Sequence, residues 1–235
     1  MTEPVIIETT IAAPAATVWP ALRDPDLIRR WHGWHYDGLD AEIDTIFLTG
    51  GTESEDYTLS LGEDVFTLRE DDGVTTVRIT RAPKGNNPEW DEWYDDITEG
   101  WTTFLEQLRF GIEVHALAVR RTIMVEGRLD IDPRAAFGLP IDAEVGRTYR
   151  STTAPSGTID GIVRLVTPHQ IAVTVDRLGP GLLILGELPV HPKRPFGGWL
   201  MVLTSYGLTE AAHDELSQRW QSWWDSHRVA VVTNA

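Results

Sequence analysis

The chain has 235 residues, 42% of them hydrophobic and 24% charged, and its 36 Asp and Glu against 20 Lys and Arg leave a formal net charge of −16. Such a chain can bury a core, so a disordered acidic polymer is excluded, and its negative surface repels phosphate backbones and anionic lipid, which sets nucleic acid and membrane aside as partners. Cysteine is absent, which removes disulfides, thiolate nucleophiles and cysteine-ligated metal sites.

The opening MTEPVIIETT has no basic region followed by an apolar run, and no window approaches the length of a membrane span, so a soluble cytoplasmic protein is expected. VIIETTI reads as a strand. From Ile11 to Trp34, IAAPAATVWPALRDPDLIRRWHGW reads as short helices broken by proline. Trp19, Leu22, Leu27 and Trp31 have the spacing of residues that pin such helices onto a core. Pro20 interrupts the first of them, at a cost of about 3 kcal/mol for an interior position. His32 and His35 stand three apart, but Asp37 and Asp40 are the only acids close by, so no metal site is expected. Trp34, His35 and Tyr36 are expected to enter the first sheet strand near a cavity mouth.

AEIDTIFL, DYTLSL, DVFTLRE and VTTVRITR then read as strands, separated by GG, GE and DDG turn signals. Pro88 to Val114 reads as a long helix. Proline is tolerated in a first turn, and Asp91, Glu92, Asp95 and Asp96 suit the positive end of the helix dipole. Trp93, Ile97, Trp101, Phe104, Leu105, Leu108 and Ile112 continue it as an apolar stripe at steps of three and four.

The second half repeats the plan. TIMVEGRL is followed by a short helix in DPRAAFG, and GRTYRST, TIDGIVRLV, HQIAVTVDRL, GLLILGEL and GWLMVLTSYGL read as strands broken by APSG, TP, GPG and HPKRPFGG. ELSQRWQSWWDSHRV closes it as a helix. Trp101 and Trp220 lie 119 residues apart, and so do Pro14 and Pro133. Closely spaced strands without helices between them require an antiparallel sheet. Two domains are therefore expected, residues 1–117 and 118–235, packed together because IEVHALAVRRT contains no flexible linker.

The strand VIIETTIAAP, the helix PAATVWPAL, the following DPDLIRRWHGW and ITEGWTTFLEQL in the first unit, with GRTYR, GIVRLVTPHQIAVTV and LSQRWQSWW in the second, resemble the START-like helix-grip superfamily, also called SRPBCC. Within it they are similar to the bacterial branch named after activators of the heat-shock-protein ATPase. The resemblance implies an α+β fold of two tandem helix-grip domains, each a curved antiparallel β-sheet wrapped around a long C-terminal helix with an apolar cavity between them. The second copy is degenerate: AEVGRTYR stands where the first unit has DPDLIRRWHGW, so its second short helix is expected to be lost.

The function that follows is binding of a small, largely apolar or aromatic molecule in such a cavity, without a dedicated catalytic constellation. The candidate ligand-binding residues are Trp34, His35, Trp93, Trp101 and Phe104 in the first unit, and Tyr149, Trp199, Tyr206, Trp220 and Trp223 in the second. Trp90 and Tyr94 would extend an aromatic wall along the first long helix. A polyketide cyclase or aromatase-like enzyme is the alternative, with His35, Tyr36, Tyr149 and Tyr206 as acid–base candidates. A co-chaperone-like interaction role is a further one. No G-x-S-x-G, G-x-G-x-x-G or P-loop is present, so neither a hydrolase triad nor a nucleotide cofactor is expected, and no cofactor of any kind is assigned. Arg147, Arg150, Arg164 and Arg177 are expected on solvated strand faces. Whether the chain forms a homodimer is left open.

Overall fold

The computed structural model describes residues 3–54, 56–85, 88–139 and 143–229. The chain divides into two units, Met1–Ala118 and Val119–Ala235. Each combines helices with one antiparallel sheet, of five strands in the first unit and six in the second.

The first unit runs β1 (Val5–Ile11), α1 (Ala15–Ala21), α2 (Pro25–Ile28), α3 (Leu39–Ile43), β2 (Gly51–Ser54), β3 (Thr58–Leu61), β4 (Asp64–Asp71), β5 (Val74–Arg81) and α4 (Pro88–His115). Its strand order is β1-β5-β4-β3-β2. The tight β4–β5 connection follows from its residues: Asp71 pairs with Val74, and Asp72 and Gly73 between them have φ of 48° and 74°. Positive φ at both central positions makes the turn twist with the strands it joins. Phe66, Leu68, Val77 and Ile79 alternate with half-buried or exposed neighbours and face inward. They share one core with Trp101, Leu105, Leu108 and Ile112 of α4, a helix of 28 residues and about 42 Å. Arg81 fastens the earlier part of that helix to the sheet. Its buried guanidinium lies 4.0 Å from the Tyr94 ring centroid, donates to the Tyr94 carbonyl at 2.7 Å and to Thr98, and pairs with Asp64 at 3.1 Å.

Three sequence expectations are corrected here. AEIDTIFL is not a strand: it forms α3 and a π-helical turn, Asp44–Thr49. Leu39, Ile43 and Phe47 are the buried residues of α3 and this turn, and steps of four belong to a helix face, not to the two-residue repeat of a strand. Gly51–Ser54, which the expected strands AEIDTIFL and DYTLSL leave between them with only the GG turn signal, forms the edge strand β2 because β3 offers it a hydrogen-bonding partner. Trp34, His35 and Tyr36 lie in the connection between α2 and α3 and enter no strand.

The second unit runs β6 (Arg120–Gly127), α5 (Pro133–Ala136), β7 (Thr148–Ala154), β8 (Gly157–Val166), β9 (Gln170–Val175), β10 (Gly181–Leu188), β11 (Gly198–Tyr206) and α6 (Glu210–His227), in the strand order β6-β11-β10-β9-β8-β7. Asp132 caps α5 by accepting from the Arg134 N–H at 2.8 Å. Among the described residues no further helix precedes β7. Leu216, Trp220 and Trp224, at steps of four, are the buried face of α6 and share a core with Phe137, Val173, Leu183 and Leu203. Gly161 of β8 is required by close packing, since a Cβ there would stand 2.3 Å from the Thr174 carbonyl oxygen.

Candidate functional site

The best-defined polar constellation in an apolar setting lies in the first unit, where the α2–α3 connection passes over α4. Asp24 caps α2 and Pro25 follows in its first turn, so the short helix ends by Ile28 and the chain turns inward. Trp31 is anchored by its indole N–H, which donates to the Ala21 carbonyl at 2.8 Å. Gly33 has φ of 57°, a left-handed backbone that glycine adopts without strain, and its carbonyl accepts from Gln107 Nε2 of α4 at 3.1 Å. These contacts hold His32 between them.

His32 is 1% exposed. Its ring centroid lies 4.8 Å from that of Phe104, 5.0 Å from Phe47, 5.7 Å from Trp31 and 5.8 Å from Trp101. The opening of this aromatic box is polar. His32 Nε2 is 3.0 Å from Glu42 Oε1, and since an ionised carboxylate only accepts, Nε2 carries the proton. The other carboxylate oxygen, Oε2, accepts a short hydrogen bond from the Tyr36 hydroxyl. The hydrogen bond from His32 is the main reason the Glu42 carboxyl is held below its ordinary value, against the opposing effect of its burial. The hydrogen bond to Glu42 in turn pushes the Tyr36 phenol up to about 12. Tyr36 itself is 47% exposed. A buried imidazole is thus joined through one carboxylate to a phenol that faces solvent.

Of the residues expected to form the site, Trp34, Trp101 and Phe104 gather here, with Trp34 half-buried and 6.2 Å from the Phe104 ring. Trp101 is 6% exposed and meets Phe66 edge-on at 5.0 Å, so it is a core residue as much as a wall. His35 is exposed in the connection, and Trp93 is exposed on α4 two turns before Trp101. The side chain of Trp90 lies outside the described residues. His32 as the centre of the site, and Glu42 altogether, escape a reading of the sequence. Glu42 sits within the stretch that reads as a strand, and only the helical turn α3 brings it back to a histidine ten residues earlier.

In the second unit the Tyr149 hydroxyl donates to the Thr174 carbonyl at 2.7 Å, and burial pushes this phenol above the usual tyrosine range. Tyr206 is raised by burial to about 12, an effect opposed by Arg120. Trp199 lies under the Arg134 guanidinium at 4.7 Å. Trp220 and Trp223 both pack on Phe137, with ring centroids 5.1 and 4.6 Å away. A separate open groove of about 570 Å³ in the first unit is bounded by Trp19, Tyr57, Glu53 and Glu70, and none of the expected site residues lines it. Among the described residues no group of three or more His, Asp or Glu could hold a metal ion, and no helix is long and apolar enough to cross a membrane.

No family model and no curated protein matches the chain. Solved structures similar to it include DynU16 from the dynemicin biosynthetic locus, at 15% identity over 95% of this chain and 96% of that one with a TM-score of 0.31. The di-domain ARO/CYC BexL from the BE-7585A pathway is 12% identical over 96% of both chains with a TM-score of 0.35. The di-domain ARO/CYC StfQ from the steffimycin pathway is 12% identical over 94% of both with a TM-score of 0.32. The superpositions are loose.

Proposed function

We propose that the chain is a tandem of helix-grip units, residues 1–117 and 118–235, and that it binds a small, largely apolar or aromatic molecule against the ring-lined middle of α4 in the first unit. The observation that carries this reading is the His32–Glu42–Tyr36 line set among Trp34, Phe47, Trp101 and Phe104. Ligand sites combine large apolar walls with a few placed polar groups, and residues with perturbed ionisation concentrate at them. Tyr36 keeps its proton at neutral pH and stands at the exposed end of the line, where it can turn its hydroxyl to a ligand oxygen.

The test is tryptophan quenching together with native mass spectrometry against lipids, flavonoids and polyketides. Saturable binding is expected, weakened about tenfold or more by Phe104→Ala and less by Tyr36→Phe, with both variants folded by circular dichroism. No saturable binding by any of the three classes would remove the proposal.

The same line favours a cyclase-like enzyme as second reading. A carboxylate bridging an imidazole and a phenol can pass a proton between them as a bound substrate gains or loses one. On that reading Glu42→Gln abolishes turnover while leaving binding within a few-fold.

A further inference from the structure

Among the described residues, three buried indole N–H groups have no acceptor: Trp101 Nε1, Trp220 Nε1 and Trp224 Nε1. Burial alone does not explain this. Trp31 is as deeply buried, and its N–H reaches the Ala21 carbonyl. Trp220 and Trp224 are 0% exposed. An unpaired buried donor is destabilising, and native cores hold few of them.

Trp101 and Trp220 lie 119 residues apart, each on the last helix of its unit. Each meets a phenylalanine edge-on, Phe66 of β4 at 5.0 Å and 77° and Phe137 at the end of α5 at 5.1 Å and 79°. A phenyl face is a weak acceptor at best. Each unit therefore leaves a buried indole donor open on its last helix.

The chemistry of the surroundings selects what would pair it. The second core is lined by Val173, Leu183, Leu203 and Phe137, and Tyr149 in that core already gives its proton to Thr174. A water would need acceptors for its own hydrogens. A ketone, quinone or lactone oxygen only accepts, and it brings no charge into an apolar interior.

We infer that Trp101 and Trp220 each donate their indole N–H to a carbonyl oxygen of a flat apolar ligand, one ligand per unit, with Trp224 adding a second donor in the second unit. For the first unit this rests on the binding reading given above. For the second it adds a site.

The probes are 9-fluorenone and fluorene, the same three-ring skeleton with and without a carbonyl, titrated into the full chain by calorimetry and native mass spectrometry. Two fluorenones per chain are expected, with fluorene at least about tenfold weaker. Trp220→Phe keeps an aromatic ring and removes the donor. It should weaken one fluorenone site about tenfold, equivalent to about 1.4 kcal/mol, and leave fluorene unchanged. Trp101→Phe should do the same at the other site.

A second measurement needs no substitution: in ¹⁵N-indole-labelled protein, two or three of the ten tryptophan N–H resonances should move downfield with fluorenone and none with fluorene. Equal binding of the two probes, with neither variant altering it, would overturn the donor assignment and leave the binding reading standing. Absence of fluorenone binding would overturn the inference alone, since the binding reading is decided by its own three ligand classes.

Discussion

Glu42 is the joint of the candidate site, and its removal has a size and a pH signature that follow from its two hydrogen bonds. Glu42→Ala leaves the buried His32 N–H without its acceptor, whereas the exposed Tyr36 hydroxyl turns to water at little cost. The first loss sets the magnitude, about 2–3 kcal/mol for a buried donor deprived of a charged partner. Glu42→Gln keeps one acceptor oxygen and loses the charge, so about 1–1.5 kcal/mol is expected. The carboxyl is held below its ordinary value of 4.5 in the folded chain. A lowered folded value means that the stabilisation is fully present above the unfolded value and is lost as pH falls through the folded one. The stability gap between the wild-type chain and Glu42→Gln should therefore be flat above about pH 5 and close at more acid pH. Urea denaturation followed by tryptophan fluorescence between about pH 3 and pH 7.5 measures both. A gap that persists unchanged to the acid limit, or no gap at neutral pH, would refute the assignment of His32 and Tyr36 as hydrogen-bond partners of an ionised Glu42.

The Tyr36 phenol should titrate near 12 in the wild-type chain and fall back toward 10.0 in Glu42→Gln, read as the ultraviolet difference against Tyr36→Phe; an unchanged titration would show that Glu42 does not hold its proton. Arg81→Ala should lower stability by about 3 kcal/mol, because it strips a buried guanidinium from Asp64, the Tyr94 carbonyl and the Tyr94 ring together. Urea midpoints decide it, and a loss below about 1 kcal/mol would mean that Asp64 finds water on its own. Gly161→Ala should cost about 2–3 kcal/mol by the same assay, since its methyl group meets a backbone oxygen and not a flexible side chain. A neutral result would show that β9 can move away from β8.

Much of the architecture is legible in residue spacing. VTTVRITR alternates and is β5, residue for residue, and GLLILGEL is β10. The stripe from Ile97 to Ile112 lies within α4, which runs one residue beyond the expected Val114. The segment from Ala41 to Leu48 misleads because its apolar residues fit two templates over so short a run. Ile43 and Phe47 fit a helix, and a strand reading of the same letters differs only in which neighbours are taken as inward. The stretch from Ile11 to Trp34 is in part a buttress, as Trp31 and Leu22 show, and in part the wall of a polar site.

What the sequence determined by itself is most of the elements and their pairing sense, because helix and strand periods are properties of neighbouring residues and short turns leave antiparallel strands as the only arrangement. What only the tertiary structure decided is which side chains meet. His32 and Glu42 are joined by the path of a loop over α4, and Trp31 finds an acceptor that Trp101, Trp220 and Trp224 do not. Such meetings depend on where a distant backbone carbonyl or carboxylate comes to rest in space, and spacing along one chain carries no record of that.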